Sequence, residues 1–400
     1  MTNEIYDSSW HNWQYTIPET IRSSLQEYLA RQRRFVDEGI SEFLRNHYKG
    51  HTLDIVSHVA DGGKRLRGVL AILICEALGG DAATALPASV AVELAHAASL
   101  AHDDVIDNDV TRRGRQALHV RYDVATAILI PHLIVPHSIL SVQIYGPKAI
   151  SVIVEGWARV AEGQARDYLS PTLSNNVDSE NYCTVPSDDW ADSPQSIEQE
   201  YWSIIRDKTA ALFEIAAALG AIAAHDDLNA ALAKTYAGHL GMAFQIADDV
   251  TDLHSYAYQP LSAIRRLGAL GTSRSMRAVC QMIAVSGDGM ITPDGIGWAR
   301  QLVSRDVQRS VECARMFPDS PMRDLLCAFP AFAVDEIYAE AQSNSRQNND
   351  LENMSYQEGN SAARILSSRT RHLAGLRKSL ARTLHHLASK LRRTWRSPAA

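Results

Sequence analysis

The sequence predicts an all-α protein, a bundle of packed helices, and three observations carry that expectation. No strand-like alternation of apolar and polar residues persists anywhere in the chain. Long stretches rich in Ala and Leu run without a helix breaker, as in Glu93–Leu100 and Leu212–Leu219. Two such stretches end in carboxylates spaced four apart, Asp103 with Asp107 and Asp248 with Asp252, a spacing that has meaning only on a helix. Layers of helix on helix are the architecture that buries such stripes.

Residues 1–17 read as an irregular arm carrying Trp10, Trp13 and Tyr15. Residues 19–48 read as a helix, because Leu25, Leu29, Val36, Ile40 and Leu44 keep close to the helical period. Asp61-Gly62-Gly63 then breaks the chain before Lys64-Arg65-Leu66-Arg67 and an apolar run. Basic side chains and free backbone N–H groups at a helix start suit an anion. On residue types alone, a basic surface helix start fits equally well.

The stretch Glu93–His119 organises the chain. Its helix carries His96 and His102 and reaches Asp103-Asp104-Val-Ile-Asp107. Asp103 and Asp107 share a face, and Asp104 is turned aside by one residue step. Carboxylates one turn apart repel unless a cation sits between them. Mg²⁺ suits that role, because it shares its oxygen shell between carboxylates and substrate phosphates. Arg112 and Arg113 follow just before Gly114, and guanidinium forks match phosphate. A solvated acidic helix end followed by a basic loop would look the same once. The device is repeated at Gly241–Asp252, where Gln245 precedes Asp248, Asp249 and Asp252, and the repetition argues for a cation–diphosphate site.

Between the two clusters, Ala127–His137 is apolar but holds Pro131 and Pro136, which should kink a helix. Residues 170–200 are polar, acidic and interrupted by prolines, the pattern of a surface loop. Lys208-Thr209 should open a smooth apolar helix. Beyond Asp252, residues 253–280 contain no lysine, and residues 281–297 are a Gly-rich loop with no phosphate-binding pattern.

Composition narrows the classes. A hydrophobic content of 46% supports a substantial core, and a net charge of −7 gives no general case for nucleic acid. The five cysteines are scattered without zinc-like spacing, so reduced thiols and a cytoplasmic setting are expected, with no signal peptide in view. No uninterrupted apolar run looks long enough to span a bilayer; Ile128–Leu140 comes nearest.

The two aspartate clusters resemble the aspartate-rich motifs of the trans-isoprenyl diphosphate synthases, the polyprenyl synthetase family. Gly62–Arg67 resembles the family's early basic motif, Glu162-Gly163-Gln164-Ala-Arg-Asp167 its central helix signature, and Lys208-Thr209-Ala-Ala-Leu212-Phe213 its Lys-Thr motif. A looser echo is Met316–Leu326. The motifs stand in family order over roughly residues 50–340. The resemblance implies an isoprenoid-synthase-type helical bundle around a central apolar cavity, with a Mg²⁺-dependent prenyltransferase activity. An allylic prenyl diphosphate would be condensed with isopentenyl diphosphate to a C20 or longer product. It implies metal binding by Asp103, Asp107 and Asp248, supported by Asp104, Asp249 and Asp252. Lys208, Thr209 and Gln245 would serve the allylic substrate. Lys64, Arg67, His96 and Arg113, with Arg112 beside them, would serve the diphosphates, chiefly that of isopentenyl diphosphate. A homodimer is also implied. The missing lysine after Asp252 and the proline-bearing helix depart from the family pattern. They keep open a terpene cyclase on the same fold, or a non-catalytic partner subunit.

The resemblance assigns residues 1–340 to one helical domain. Residues 341–362 are polar and aperiodic, a linker. Residues 363–396 close the chain with Leu373, Leu376, Leu380, Leu384, Leu387, Leu391 and Trp395 on one helical face and basic side chains beside it. Such a helix can lie on an anionic membrane surface or dock on protein.

Overall fold

A computed structural model describes residues 16–168, 194–254, 275, 278, 279, 282 and 293–339. The chain divides into two units, Met1–Ala339 and Glu340–Ala400, and every described residue belongs to the first. The N-terminal arm with Trp10, Trp13 and Tyr15, the linker 341–362 and the basic helix 363–396 lie outside the described residues.

The described residues are helical almost throughout. The order is α1 Glu19–His47, α2 Gly50–Ala60, α3 Leu66–Ala77, α4 Ala82–Ile106, α5 Leu118–Arg121, α6 Val124–Ser141, α7 Pro147–Tyr168, α8 Pro194–Ile205, α9 Ala211–Ala223, α10 Ala230–His254 and α11 Pro293–Ala314. A last helix, α12, spans 321–339. The expected first helix is α1, and Leu25, Val36, Ile40 and Leu44 of its stripe are buried.

Helix α4 lies at the centre. Asp81 caps it by accepting from the Thr84 backbone N–H at 2.9 Å. It is buried all round, from Ala85 to Ala101, because α1, α2, α3, α6 and α9 pack against it. Its small residues Ala88, Ala91, Ala95 and Ala98 let those neighbours approach. Helix α10 packs on α9 and α11, and α7 packs on α9, so the two aspartate-bearing helices enter one bundle from different sides.

Four local expectations are corrected. A two-residue antiparallel pair, β1 Thr111–Arg112 and β2 Arg115–Gln116, follows α4. Its turn residues Arg113 and Gly114 have φ of 53° and 72°, the mirror-image turn geometry that suits a tight hairpin. Helix α6 is continuous through Pro131 and Pro136, held along its length by α4. The polar segment 170–200 is not loop to its end: α8 starts at Pro194, whose fixed φ and missing N–H suit a first helical position. The Gly-rich loop likewise ends early, since α11 begins at Pro293.

Two helices are long and apolar enough to cross a membrane by length and composition, which revises the reading of the apolar runs. Ala82–Ile106 is the central core helix. Val124–Tyr145 instead turns Leu129, Leu133, Leu140 and Ile144 outward at 62%, 43%, 52% and 73% exposure.

Candidate active site

Lys208 does not open a smooth helix. It sits in a π-helical turn, Arg206–Ala210, between α8 and α9. Such turns insert one residue into the ladder and often occur at functional sites. Glycines on both flanks make room for it. A Cβ on Gly163 of α7 would lie 2.4 Å from the Lys208 backbone nitrogen, and one on Gly241 of α10 would lie 2.5 Å from the Ala210 Cα. The turn is thus pinned between α7 and α10. Arg159 and Arg166 of α7 both pair with Asp207 beside it.

That turn aims Lys208 at carboxylates. Its Nζ donates to Asp167 at 2.7 Å. Burial pulls the ammonium pKa down, but Asp167, Asp103 and Asp107 outweigh that and leave it raised. Asp103 lies in the last turn of α4, and Asp107 is the residue at which that helix ends. Burial pushes the Asp103 carboxyl up to about 6, with Lys208 opposing and Asp107 adding to the rise. Asp107 is raised by burial as well, against the pull of Lys208. Removal from water and then the charge of Asp109 raise Asp252, so the second cluster faces the hairpin end of the first.

The six aspartates divide into two kinds. Asp103, Asp107, Asp248 and Asp252 keep solvent access, whereas Asp104 and Asp249 are buried at 3% and 4% exposure. Asp104 accepts from Arg112 Nε at 2.6 Å, and Arg112 also pairs with Asp109 at 2.7 Å. Asp249 accepts from the Tyr201 hydroxyl at 2.7 Å and from Gln245 Nε2 at 2.8 Å; burial raises its carboxyl to about 7. Gln245 in turn accepts from Thr209 Oγ1 at 2.6 Å. Arg112, Thr209 and Gln245, read as substrate groups, therefore also hold the site's own framework together.

A second, basic pocket adjoins the first along α4, where His96 stands two turns before Asp103 on the same face. Arg67 is enclosed with its guanidinium carbon 4.3 Å from the Phe213 ring centre and its Nη1 donating to His96 Nε2 at 3.1 Å. Its buried Nε has no hydrogen-bond partner among the described residues. Burial lowers the Arg67 pKa to about 10, still cationic at neutral pH. His96 is held well below its ordinary pKa by burial and then by Arg67 and Arg113, so it is neutral. Arg113 donates to the Asp61 and Gly62 carbonyls at 3.0 and 2.9 Å. A Cβ on Gly63 would lie 2.7 Å from the Arg113 guanidinium carbon, so the glycine turn is what admits it. Lys64 is directed to α12, where Nζ donates to the Glu336 carbonyl at 2.8 Å. Concentrated, poorly neutralised positive charge of this kind favours an anionic ligand.

Asp103 and Lys208 line a cavity of about 370 Å³. Ser99 and Ile106 of α4 form one wall, and Trp157, Val160 and Ala161 of α7 the other. Its mouth is charged and its walls are largely apolar. Carboxylate oxygens at the mouth are the donor set for a hard divalent cation. Among the described residues no group of three or more metal-ligating side chains converges by itself. The cations Arg265, Arg266, Arg274 and Arg277, the candidates to replace the missing lysine, lie outside the described residues.

Residues 51–260 match the polyprenyl synthetase family. The chain belongs to that family. It is 25% identical over 310 residues to the octaprenyl diphosphate synthase of Haemophilus influenzae, covering 70% of this chain and 86% of that protein. The fold is similar to the geranylgeranyl pyrophosphate synthetase of Pyrococcus horikoshii, with a TM-score of 0.59 at 26% identity over 77% of this chain and 98% of that one. It is also similar to a polyprenyl synthase of Caulobacter crescentus complexed with calcium and isoprenyl diphosphate, with a TM-score of 0.54 at 24% identity over 77% and 97% of the two chains. As a polyprenyl synthetase, the protein has the all-α isoprenoid-synthase fold and is a trans-prenyltransferase.

Sequence reasoning missed Tyr201, Asp109 and Trp157. Asp109 could have been read as a further acid in the first cluster. Tyr201 and Trp157 carry no local signal, because what they touch is distant in sequence. Asp167 belongs to the Glu162–Asp167 motif, and only the fold shows that it anchors Lys208.

Proposed function

We propose that this enzyme condenses an allylic prenyl diphosphate with isopentenyl diphosphate, using Mg²⁺, to give a C20 or longer polyprenyl diphosphate. The observation that carries the reading is the presence of two anion-suited subsites side by side along α4. One is Lys208 among Asp103, Asp107 and Asp167 at the largely apolar cavity; the other is Arg67 with His96 and Arg113. A terpene cyclase ionises one diphosphate and needs no second pocket.

Asp103, Asp107 and Asp248 would hold Mg²⁺, which supplies Lewis acidity to the departing diphosphate. Lys208 adds a fixed positive charge where negative charge develops. Arg67 and Arg113 orient the diphosphate of isopentenyl diphosphate so that its double bond meets the allylic cation. The apolar walls keep water from that cation. The departing diphosphate takes the proton lost after bond formation, and no side-chain nucleophile is required. The test is product analysis of the purified protein with Mg²⁺ and allylic diphosphates, with and without isopentenyl diphosphate. Longer diphosphates formed only with isopentenyl diphosphate support condensation. Hydrocarbons or cyclic alcohols formed from one substrate reject it.

Two partners belong to the same reading. The outward apolar face of α6, with Leu129, Leu133 and Leu140, is the surface proposed to pair two copies into a homodimer. Leu129→Glu with Leu133→Glu should give a monomer by light scattering; an unchanged mass rejects that face. The basic C-terminal segment, residues 363–396, is proposed to hold an otherwise cytoplasmic enzyme at an anionic membrane. Residues 361–400 carry ten Lys or Arg and no acid, and each can add about 1 kcal/mol near such a surface. A membrane location suits a product too apolar to diffuse freely in water. The full chain should co-sediment with anionic vesicles in a salt-sensitive way, and a chain ending at Ser361 should not. Equal binding by both, or by neither, rejects the anchor.

A further inference from the structure

Tyr201 lies two helical turns before Lys208 and is fully buried. Its hydroxyl donates to one oxygen of Asp249 at 2.7 Å, and Gln245 donates to the other at 2.8 Å. Gln245 accepts from Thr209 at 2.6 Å, and Thr209 is the residue next to Lys208 in the π-helical turn. Lys208 itself is tied to Asp167 at 2.7 Å. A chain of buried and half-buried hydrogen bonds thus runs from α8, through the second aspartate cluster, to the turn that carries the lysine.

This chain bears on the neighbours of Asp249. Successive side chains on a helix are about 100° apart. Fixing Asp249 inward therefore fixes Asp248 outward, where its carboxylate has solvent access. Asp252, one turn further on, follows. Both stand in the last two turns of α10, which ends at His254. Helix ends fray unless something holds them. Tyr201 supplies that hold from another helix.

We infer that Tyr201 is a positioning residue for the second cation-binding carboxylates: by fixing Asp249 it sets Asp248 and Asp252 in register with Lys208, so that cation and diphosphate bind as one unit. The inference rests on the cation–diphosphate reading of the site. It assigns Asp249 to the framework and leaves coordination to Asp248.

The experiment uses the full chain and inorganic diphosphate. Thermal stabilisation is followed as Mg²⁺ is added at fixed diphosphate, a readout independent of turnover. The wild-type protein should be stabilised. Tyr201→Phe should need about 10-fold more Mg²⁺ for half the effect, within the range found when partners of metal ligands are removed. The Mg²⁺ requirement for product formation should move in parallel, while the KM for isopentenyl diphosphate stays within about two-fold. A folded Tyr201→Phe protein whose Mg²⁺ curve overlays the wild type overturns the inference, even if it melts at a lower temperature, because that is a packing role alone. Should Tyr201→Phe fail to fold, Gln245→Leu removes the other donor to Asp249 and must give the same shift; an unmoved curve overturns the inference equally. A wild-type protein that does not respond to Mg²⁺ with diphosphate overturns the underlying reading first, and this inference with it.

Discussion

Replacing Asp103 by asparagine should abolish turnover and at the same time raise the melting temperature of the metal-free enzyme. The two effects share one cause. Asp103 is a carboxyl in a half-enclosed site, with Asp107 as a like charge beside it, and its pKa is pushed up to about 6. In the unfolded chain the same group titrates near ~3.9. The folded state therefore favours the protonated form. Its contribution to stability is full below about pH 4 and is lost as the pH rises through about 6. At pH 8 the charged carboxylate opposes folding, relieved in part by Lys208. Asparagine keeps the shape and removes the charge, so the metal-free variant should melt higher than wild type at pH 8 and about equally at pH 4. The same change removes a hard anionic ligand from the cavity mouth and leaves Lys208 one negative neighbour fewer. A loss of at least about 10³-fold in kcat is expected, at the upper end of what single electrostatic groups contribute. Apparent Mg²⁺ affinity of the wild type should fall as the pH drops below about 6, because protons compete for the same oxygens. Thermal melts at the two pH values and a Mg²⁺-dependent product assay test this together. Near-normal turnover in Asp103→Asn would remove Asp103 from the metal site.

The aspartate clusters were legible in the sequence because helical spacing is local information. Four residues make one turn, whatever the rest of the fold does. The same reasoning placed α1 and its buried stripe. It could not say which acids would face a cation and which would be tied up inside. Asp104 and Asp249 are withdrawn by Arg112 and Tyr201, residues on other elements. Lys208 was visible as the start of a motif, but its π-helical turn was not. That turn depends on two glycines, Gly163 and Gly241, from helices that meet it only in the folded bundle. Pro131 and Pro136 misled in the opposite sense, since a local rule for kinking gave way to continuous packing against α4. Depth along the cavity was the least legible feature, because it depends on how two helices are rotated against each other.

Product length should respond to Ser99 and Trp157, and not to Ala98. All three lie on the helices that flank the cavity, and Ala98 and Ser99 are both small residues about one turn before Asp103. The fold separates them. Ser99 lines the cavity, whereas Ala98 is fully buried in the core. Phenylalanine at 98 would overpack that core, at about 1–3 kcal/mol, without reaching the product. Phenylalanine at 99 would enter the cavity about one turn, roughly 6 Å, below Asp103. It should stop chain growth early and shift the product toward shorter diphosphates, with kcat for the first condensation largely kept. Asp103 and Asp167 stand near the C-terminal ends of α4 and α7, and Trp157 lines the cavity further back along α7. It stands ten residues before Asp167, roughly 15 Å lower along the helix. Its indole is the large side chain on the lower wall. Trp157→Ala should remove that obstruction and lengthen the product, and Ser99→Phe with Trp157→Ala should remain short because the upper block acts first. Chain-length analysis of dephosphorylated products measures all of these. If Ser99→Phe and Trp157→Ala both fold and both leave the wild-type distribution unchanged, the growing chain does not descend between α4 and α7.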